Sequence, residues 1–323
     1  MYIDEVTTPA ALIDVDILRR NIAGMADRAA KYDVALRPHI KTHKCLEIGR
    51  LQLSAGASGI TVASLVEAGI FAEAGFRDIT CAVPIVPDKF SEALRLARRC
   101  NLGLLLDDAS IAEQLAQKCG AIGVPLKVWL KVDCGHHRAG VRPDSDEAVI
   151  IARSLQEAPA VEFAGLLTHA GHSYQASSKN EVLAIALSEK ETMLALREKL
   201  AAEGLGRVQV SVGATPTNSL DYDLTGIDEI RPGNYVFHDR TQVLLGTCNM
   251  TDCAFTVLAS VISRQPSNDY AVIDAGALAL SHDPGPLHLD STASRGIAFM
   301  ANHNLDAVSN LRVASVSQEH GII

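Results

Sequence analysis

Short apolar runs alternate with amphipathic stretches along the first two thirds of the chain. Residues 34–40, 59–62, 78–83, 102–106, 126–132, 163–167, 208–212 and 229–231 are strand-length runs dominated by Val, Ile, Leu and Ala. Between them, apolar residues recur by threes and fours, as on a helix with one buried face. The pattern starts at Ile17, Leu18, Ile22, Met25 and Ala29 and continues over 65–74, 89–99, 110–119, 146–155 and 180–203. Near-continuous apolar strands, each followed by a helix-length segment, predict an α/β fold of the (β/α)8 barrel type. A doubly wound open sheet has the same alternation, but no G-x-G-x-x-G follows the first strand, against its nucleotide-binding version.

The rhythm stops near Tyr235. Runs at 256–263, 271–274 and 311–316, with turn residues at 265–269, read as strands of a different arrangement. The expected organisation is a barrel over residues 10–240 and a smaller β-rich domain over 241–323, joined by residues 1–9.

Composition narrows the class. A 48% hydrophobic content suits a protein with a substantial core, and the net charge of −9 argues against nucleic acid as a partner. No apolar run approaches the roughly 20 residues needed to cross a bilayer, so no membrane association is expected. The N-terminus lacks the basic and apolar regions of a signal peptide. Seven cysteines without C-x-x-C spacing point to reduced thiols and a cytoplasmic location.

In a (β/α)8 barrel, chemistry gathers at the C-terminal ends of the strands. The first strand runs into Arg37-Pro38-His39-Ile40-Lys41-Thr42-His43-Lys44, where two lysines, two histidines and an arginine fall within eight residues. Packing does not explain them, and Lys41 reads as an imine-forming lysine. Such an amine must be neutral, which burial and cationic neighbours favour; Arg37, His39 and Lys44 are the candidates for that field. The fifth strand leads to Asp133, His136, His137 and Arg138, and the sixth to His169, His172 and Tyr174. After the seventh, Gly213, Ala214, Thr215 and Thr217 form either a plain turn or an anion-binding loop, the latter favoured by its place in a barrel. The eighth ends in Arg231, Asn234 and Tyr235. A lysine, a phosphate loop, arginines and a tyrosine at one mouth suit pyridoxal 5'-phosphate. Arg138 is open to two readings, a donor to the cofactor's phenolate oxygen or an ion pair with Asp133. His169 reads as a ring stacked on the cofactor or a loop hydrogen-bonder; its spacing from His172 is weak evidence for zinc.

The lysine segment resembles that of the D-serine dehydratase and D-threonine aldolase family, pyridoxal-phosphate enzymes built on an alanine racemase-like barrel. The likeness continues through residues 59–63, 133–141, 211–217, 231–237, 272–276 and 318–321, nearly the whole chain. It implies that Lys41 carries the cofactor and that Arg138 contacts its phenolate side. It also implies that Gly213, Ala214, Thr215 and Thr217, with Tyr235, surround the phosphate, and that the protein is a homodimer acting on a small D-amino acid. The activity implied is a lyase on D-configured β-hydroxy-α-amino acids, closer to the dehydratase branch, with D-threonine aldolase as the alternative. An amino-acid racemase and a non-catalytic pyridoxal-phosphate-binding protein are lesser alternatives. The family also uses a divalent metal, zinc or manganese, held by a histidine and a cysteine or aspartate beyond the Glu319-His320-Gly321 segment. Those positions lie past Ile323, so no metal ligand is assigned and the β-rich domain is expected to be incomplete at its C-terminal end.

Overall fold

The first barrel strand is short, although backbone pairing continues past Pro38, with the Arg37 and His39 N–H groups donating to the Ile230 and Pro232 carbonyls. That strand is Ala35–Leu36, and the following residues fold into a 3-10 turn at Ile40–Thr42 rather than extending the strand to Ile40. The computed structural model describes residues 3–292, 294–300 and 307–323. The remaining barrel strands, two to eight, are Ile60–Val62, Asp78–Pro84, Asn101–Leu106, Leu126–Lys131, Val161–Leu167, Gln209–Val212 and Glu229–Ile230. All pairings are parallel, and strand one lies beside strand eight. The Ser58 N–H donates to the Leu36 carbonyl, the Thr61 N–H donates to the Pro38 carbonyl, and a His39–Thr61 bridge joins strands one and two. The sheet therefore returns on itself as the expected barrel.

The outer helices follow their apolar periodicity. Helix Val15–Lys31 buries Leu18, Ile22, Met25 and Ala29. Helix Leu65–Glu73 begins at Ser64, whose hydroxyl accepts from the Glu67 N–H, while the Glu67 carboxylate accepts from the Ala63 N–H. Inside the barrel, Leu105, Trp129, Ala164 and Leu167 pack together.

Near strand one the interior is ionic. Arg37 Nε lies 2.6 Å from Glu229 Oε2, and its guanidinium also pairs with Asp78. Arg37 and Glu229 are each only 5% exposed. Ser211 donates its hydroxyl to the second Glu229 oxygen at 2.6 Å. Gly59 makes room for this group, since a Cβ there would lie 2.2 Å from an Arg37 nitrogen.

The chain divides into two compact units. One comprises Arg20–Ala176 and Asn180–Tyr235; the other comprises the chain up to Arg19, Ser177–Lys179 and the chain from Val236 onward. In the second unit the expected single strand at 256–263 is two strands. Phe255–Leu258 pairs antiparallel with Ala10–Ile13, and Val261–Arg264 pairs with Ala271–Ile273. The break falls at Ser260, whose N–H turns to Asp274 Oδ1 at 2.8 Å. The expected strand at 311–316 likewise divides into Ala307–Arg312 and Ser315–Val316, which pair with different partners, Ile297–Phe299 and Gly321–Ile322.

Removing one partner of a buried ion pair strands the other charge. Arg37→Met is expected to lose about 3–5 kcal/mol of stability, read as an earlier urea unfolding transition. Adding Glu229→Leu to Arg37→Met should recover much of that loss.

Candidate active site

The strand-one turn presents Lys41 by local hydrogen bonding. His39 caps it, its Nδ1 accepting from the Lys41 N–H at 3.3 Å, and the Lys44 N–H closes the turn onto the Ile40 carbonyl at 2.8 Å. Lys44 sits at φ +47°, which swings its side chain into an ion pair with Glu67 at 3.0 Å. Lys41 opens to solvent along the barrel mouth, yet its pKa falls below the ordinary lysine value. Loss of hydration around the amine is the leading cause, followed by repulsion from Arg138 and Arg231.

This corrects the source of the cationic field. Of the three expected neighbours, Arg37 is committed to Glu229 and Asp78, and Lys44 to Glu67. His39 is held neutral, its pKa well below the usual value through burial and then repulsion from Lys41. The charges that bear on the amine come from the ends of strands five and eight.

Asp133 does not hold Arg138. Its Oδ1 accepts from the Gly135 and His137 N–H groups at 3.0 and 2.9 Å, and its Oδ2 meets His137 Nδ1 at 2.9 Å. Arg138 is exposed at the mouth. Arg231 is deeply buried, donating to Ser211 Oγ at 3.0 Å and to the Thr168 carbonyl. Burial lowers its pKa to about 10, against attraction from Glu229 and Glu189.

The loop after strand seven packs against this guanidinium. A Cβ at Gly213 would lie 3.1 Å from Arg231, and one at Gly233 would lie 3.0 Å from the His39 carbonyl oxygen. Ala214 precedes a single helical turn, Thr215–Asn218, and its carbonyl accepts from Thr217 Oγ1 at 3.3 Å and Asn218 Nδ2 at 2.9 Å. Thr215 Oγ1 accepts from the Gly233 and Asn234 N–H groups at 3.3 and 2.9 Å, tying the strand-seven and strand-eight loops together. Tyr235 is 1% exposed and its hydroxyl accepts from Gln52 Nε2 at 3.0 Å. Its side chain thus anchors the loop in the core.

Three histidines share the mouth. His136 lies 6.0 Å from His169 and 6.2 Å from His172, centroid to centroid. His169 Nδ1 is hydrogen-bonded to the Gly213 carbonyl, and burial followed by repulsion from Lys41 keeps the ring neutral. Tyr174 lies in the 3-10 turn Gly171–Gln175 that follows. Two charged residues escaped the sequence reading. Lys131 ends strand five with its Nζ donating to the Val132 carbonyl at 3.2 Å, and burial lowers its pKa to about 8. Glu189 is buried on helix Lys179–Leu200. Both signals were present: Lys131 continues the alternate positions of Lys127 and Trp129, and Glu189 interrupts an apolar helical stripe.

These residues fit pyridoxal phosphate. A lysine with a lowered pKa lies beside two arginines, and Arg231 Nε is buried with no acceptor among the described residues. Two glycines allow close approach, and the first turn of a helix leaves N–H groups without intrahelical acceptors. Metal is different. Among the described residues, no group of three or more His, Cys, Asp or Glu side chains could hold an ion.

Residues 13–241 match the family model described as the alanine racemase N-terminal domain, and residues 254–323 match a putative serine dehydratase domain. The chain belongs to the alanine racemase N-terminal domain family. A D-threo-3-hydroxyaspartate dehydratase from Delftia sp. (strain HT23) is 38% identical, over 98% of this chain and 83% of its own. Its solved structure superposes with a TM-score of 0.93, covering 98% of this chain and 84% of that one. A D-serine dehydratase from Dictyostelium discoideum is 33% identical over 98% of this chain and 83% of its own. A D-threonine aldolase structure from Filomicrobium marinum is 27% identical with a TM-score of 0.86, covering 99% of this chain and 83% of that one. Among the described residues, no helix is long and apolar enough to cross a membrane.

Replacing Arg138 by Met removes one of the charges that disfavour the Lys41 ammonium, so the amine pKa rises. At a given pH fewer molecules then carry the neutral amine. The rate at which pyridoxal phosphate is captured, followed by its change in absorbance, should fall at neutral pH. Its pH profile should move to higher pH in Arg138→Met.

Proposed function

We propose that the chain is a pyridoxal-phosphate-dependent lyase that eliminates the β-hydroxyl group from D-configured β-hydroxy-α-amino acids. D-Serine and D-threo-3-hydroxyaspartate represent the substrate class. The observation that carries the reading is Lys41, whose amine lies at the barrel mouth and is disfavoured as an ammonium by lost hydration, Arg138 and Arg231. The relatives at 38% and 33% identity, both dehydratases, support the choice of reaction.

In this reading Lys41 holds the cofactor, with Arg138 on its phenolate side. The 213–217 loop and the N–H groups near Asn234 lie around its phosphate, and His169 lies beside the ring. Tyr174 belongs to the same mouth, while Tyr235 supports it from the core. The bound cofactor supplies an electron-poor ring that stabilises negative charge at the substrate's Cα. Lys41 Nζ, once free of the cofactor, takes the α-proton, a task suited to an amine whose pKa is lowered toward neutrality. Burial keeps His39 and His169 neutral, so neither adds a positive charge against that proton transfer. The substrate's β-oxygen then takes up a proton and leaves as water, and hydrolysis of the released imine by water gives a 2-oxo acid and ammonia.

Aldol cleavage of the same substrates to glycine and an aldehyde is the second reading. An Arthrobacter D-threonine aldolase, 31% identical over 87% of this chain and 74% of its own, favours it. The two differ at the β-oxygen, which gains a proton when it leaves and loses one when Cα–Cβ breaks. The reading extends to a barrel domain over 10–240, a β-rich domain over 241–323 with 1–9, a homodimer and a cytoplasmic location. The domain bounds rest on where the strand–helix rhythm stops, the location on cysteines without C-x-x-C spacing, and the homodimer on likeness to the family.

The test supplies D-serine and D-threo-3-hydroxyaspartate to protein loaded with pyridoxal phosphate, with and without added zinc or manganese. Pyruvate or oxaloacetate should appear with equimolar ammonia, and Lys41→Ala should lose about 10²–10⁴-fold or more of the rate. Glycine and an aldehyde as the products would establish the aldolase reading instead. Turnover undiminished in Lys41→Ala would overturn both.

A further inference from the structure

Helix Leu46–Ser54 follows the Lys41 turn and buries Ile48, Gly49 and Gln52. Two of these suit a core; the third is an amide, 0% exposed. An amide is costly to bury without a partner, so what it binds explains its place. Gln52 Nε2 donates to the Tyr235 hydroxyl at 3.0 Å, joining residues far apart in the chain. Burial pushes the Tyr235 phenol above its usual pKa, so the pair is neutral and acts through direction rather than charge.

Both ends of this bond are short extensions of the mouth. On one side, the Lys41 turn closes through the Lys44 N–H onto the Ile40 carbonyl. His43 Nδ1 then accepts from the Cys45 N–H at 3.0 Å, where the helix that carries Gln52 begins. On the other side, Tyr235 follows Gly233 and Asn234, whose N–H groups donate to Thr215 Oγ1 in the loop after strand seven. The strand-eight loop also touches the Lys41 segment directly. The His39 N–H donates to the Pro232 carbonyl at 3.0 Å, and a Cβ at Gly233 would lie 3.4 Å from Thr42 Oγ1. The loop that links Lys41 to residues 213–217 is therefore fastened to the lysine side at two places, before the turn at His39 and beyond it at Gln52.

We infer that Gln52 and Tyr235 are positioning residues whose hydrogen bond sets the separation between Lys41 and the phosphate-binding loops. The inference rests on the pyridoxal-phosphate reading of the mouth. The cofactor carries its aldehyde and its phosphate on one flat ring, so a mouth that engages both ends must hold them at a matching distance. Pyridoxal, which has the aldehyde without the phosphate, needs only the lysine end.

This difference supplies the test. Gln52→Met and Tyr235→Phe each leave one buried polar group without its partner, and both should unfold at lower urea than the unsubstituted protein. The double variant removes both polar groups and should regain most of that stability. In a spectroscopic titration with pyridoxal phosphate, the two single variants and the double variant should all bind about fivefold more weakly, the size of one neutral hydrogen bond. Capture of pyridoxal on Lys41, trapped with borohydride, should stay within about twofold of the unsubstituted protein. Unaltered pyridoxal-phosphate binding in the double variant would make the bond a matter of stability alone and overturn the inference. So would equal losses for both aldehydes, or a loss in Tyr235→Phe with none in Gln52→Met. If the unsubstituted protein takes up neither aldehyde, the proposed function fails. Amide exchange at Asn234 then still decides whether the pair holds the loop: faster exchange in the double variant supports it, and an unchanged rate overturns it.

Discussion

The barrel mouth is organised around one guanidinium that water scarcely reaches. Arg231 donates to Ser211 Oγ and to the Thr168 carbonyl, so it draws together the ends of strands six, seven and eight. Ser211 in turn donates to Glu229, which Arg37 neutralises. A buried charge is costly unless its neighbours satisfy it; this chain of contacts engages both terminal nitrogens of Arg231 and leaves its Nε without an acceptor among the described residues. The same positive charge repels the ammonium form of Lys41. Structural support and chemical tuning thus share a single side chain, and the glycine at 213 leaves room for it.

The barrel was legible because parallel strands buried on both faces read as continuous apolar runs, and their spacing left helix-length gaps. Lys41 was legible for the opposite reason, as part of a charge cluster with no role in packing. Its neighbours in space were not. Arg37 and Lys44 adjoin it in sequence, but both are paired with other carboxylates, Lys44 from a left-handed backbone. Arg138 and Arg231 reach it only through closure of the barrel, which sequence proximity does not express. In the β-rich unit, long apolar runs concealed strand breaks because the breaks depend on distant acceptors such as Asp274.

Two lysines at the mouth have lowered pKa values, and geometry distinguishes them. Lys131 is the more deeply buried, yet its amine is already engaged by the Val132 carbonyl at 3.2 Å. Lys41 projects from a capped turn into open space, where an incoming aldehyde can approach. An imine requires both a neutral nitrogen and access to the carbonyl carbon, and Lys41 combines the two.

The most direct measurement of that claim loads the protein with pyridoxal phosphate, reduces it with borohydride and locates the modified residue by peptide mass spectrometry. The account predicts one pyridoxyl group per chain, on Lys41. A modification on Lys131 or Lys44, or unchanged labelling in Lys41→Ala, would contradict it.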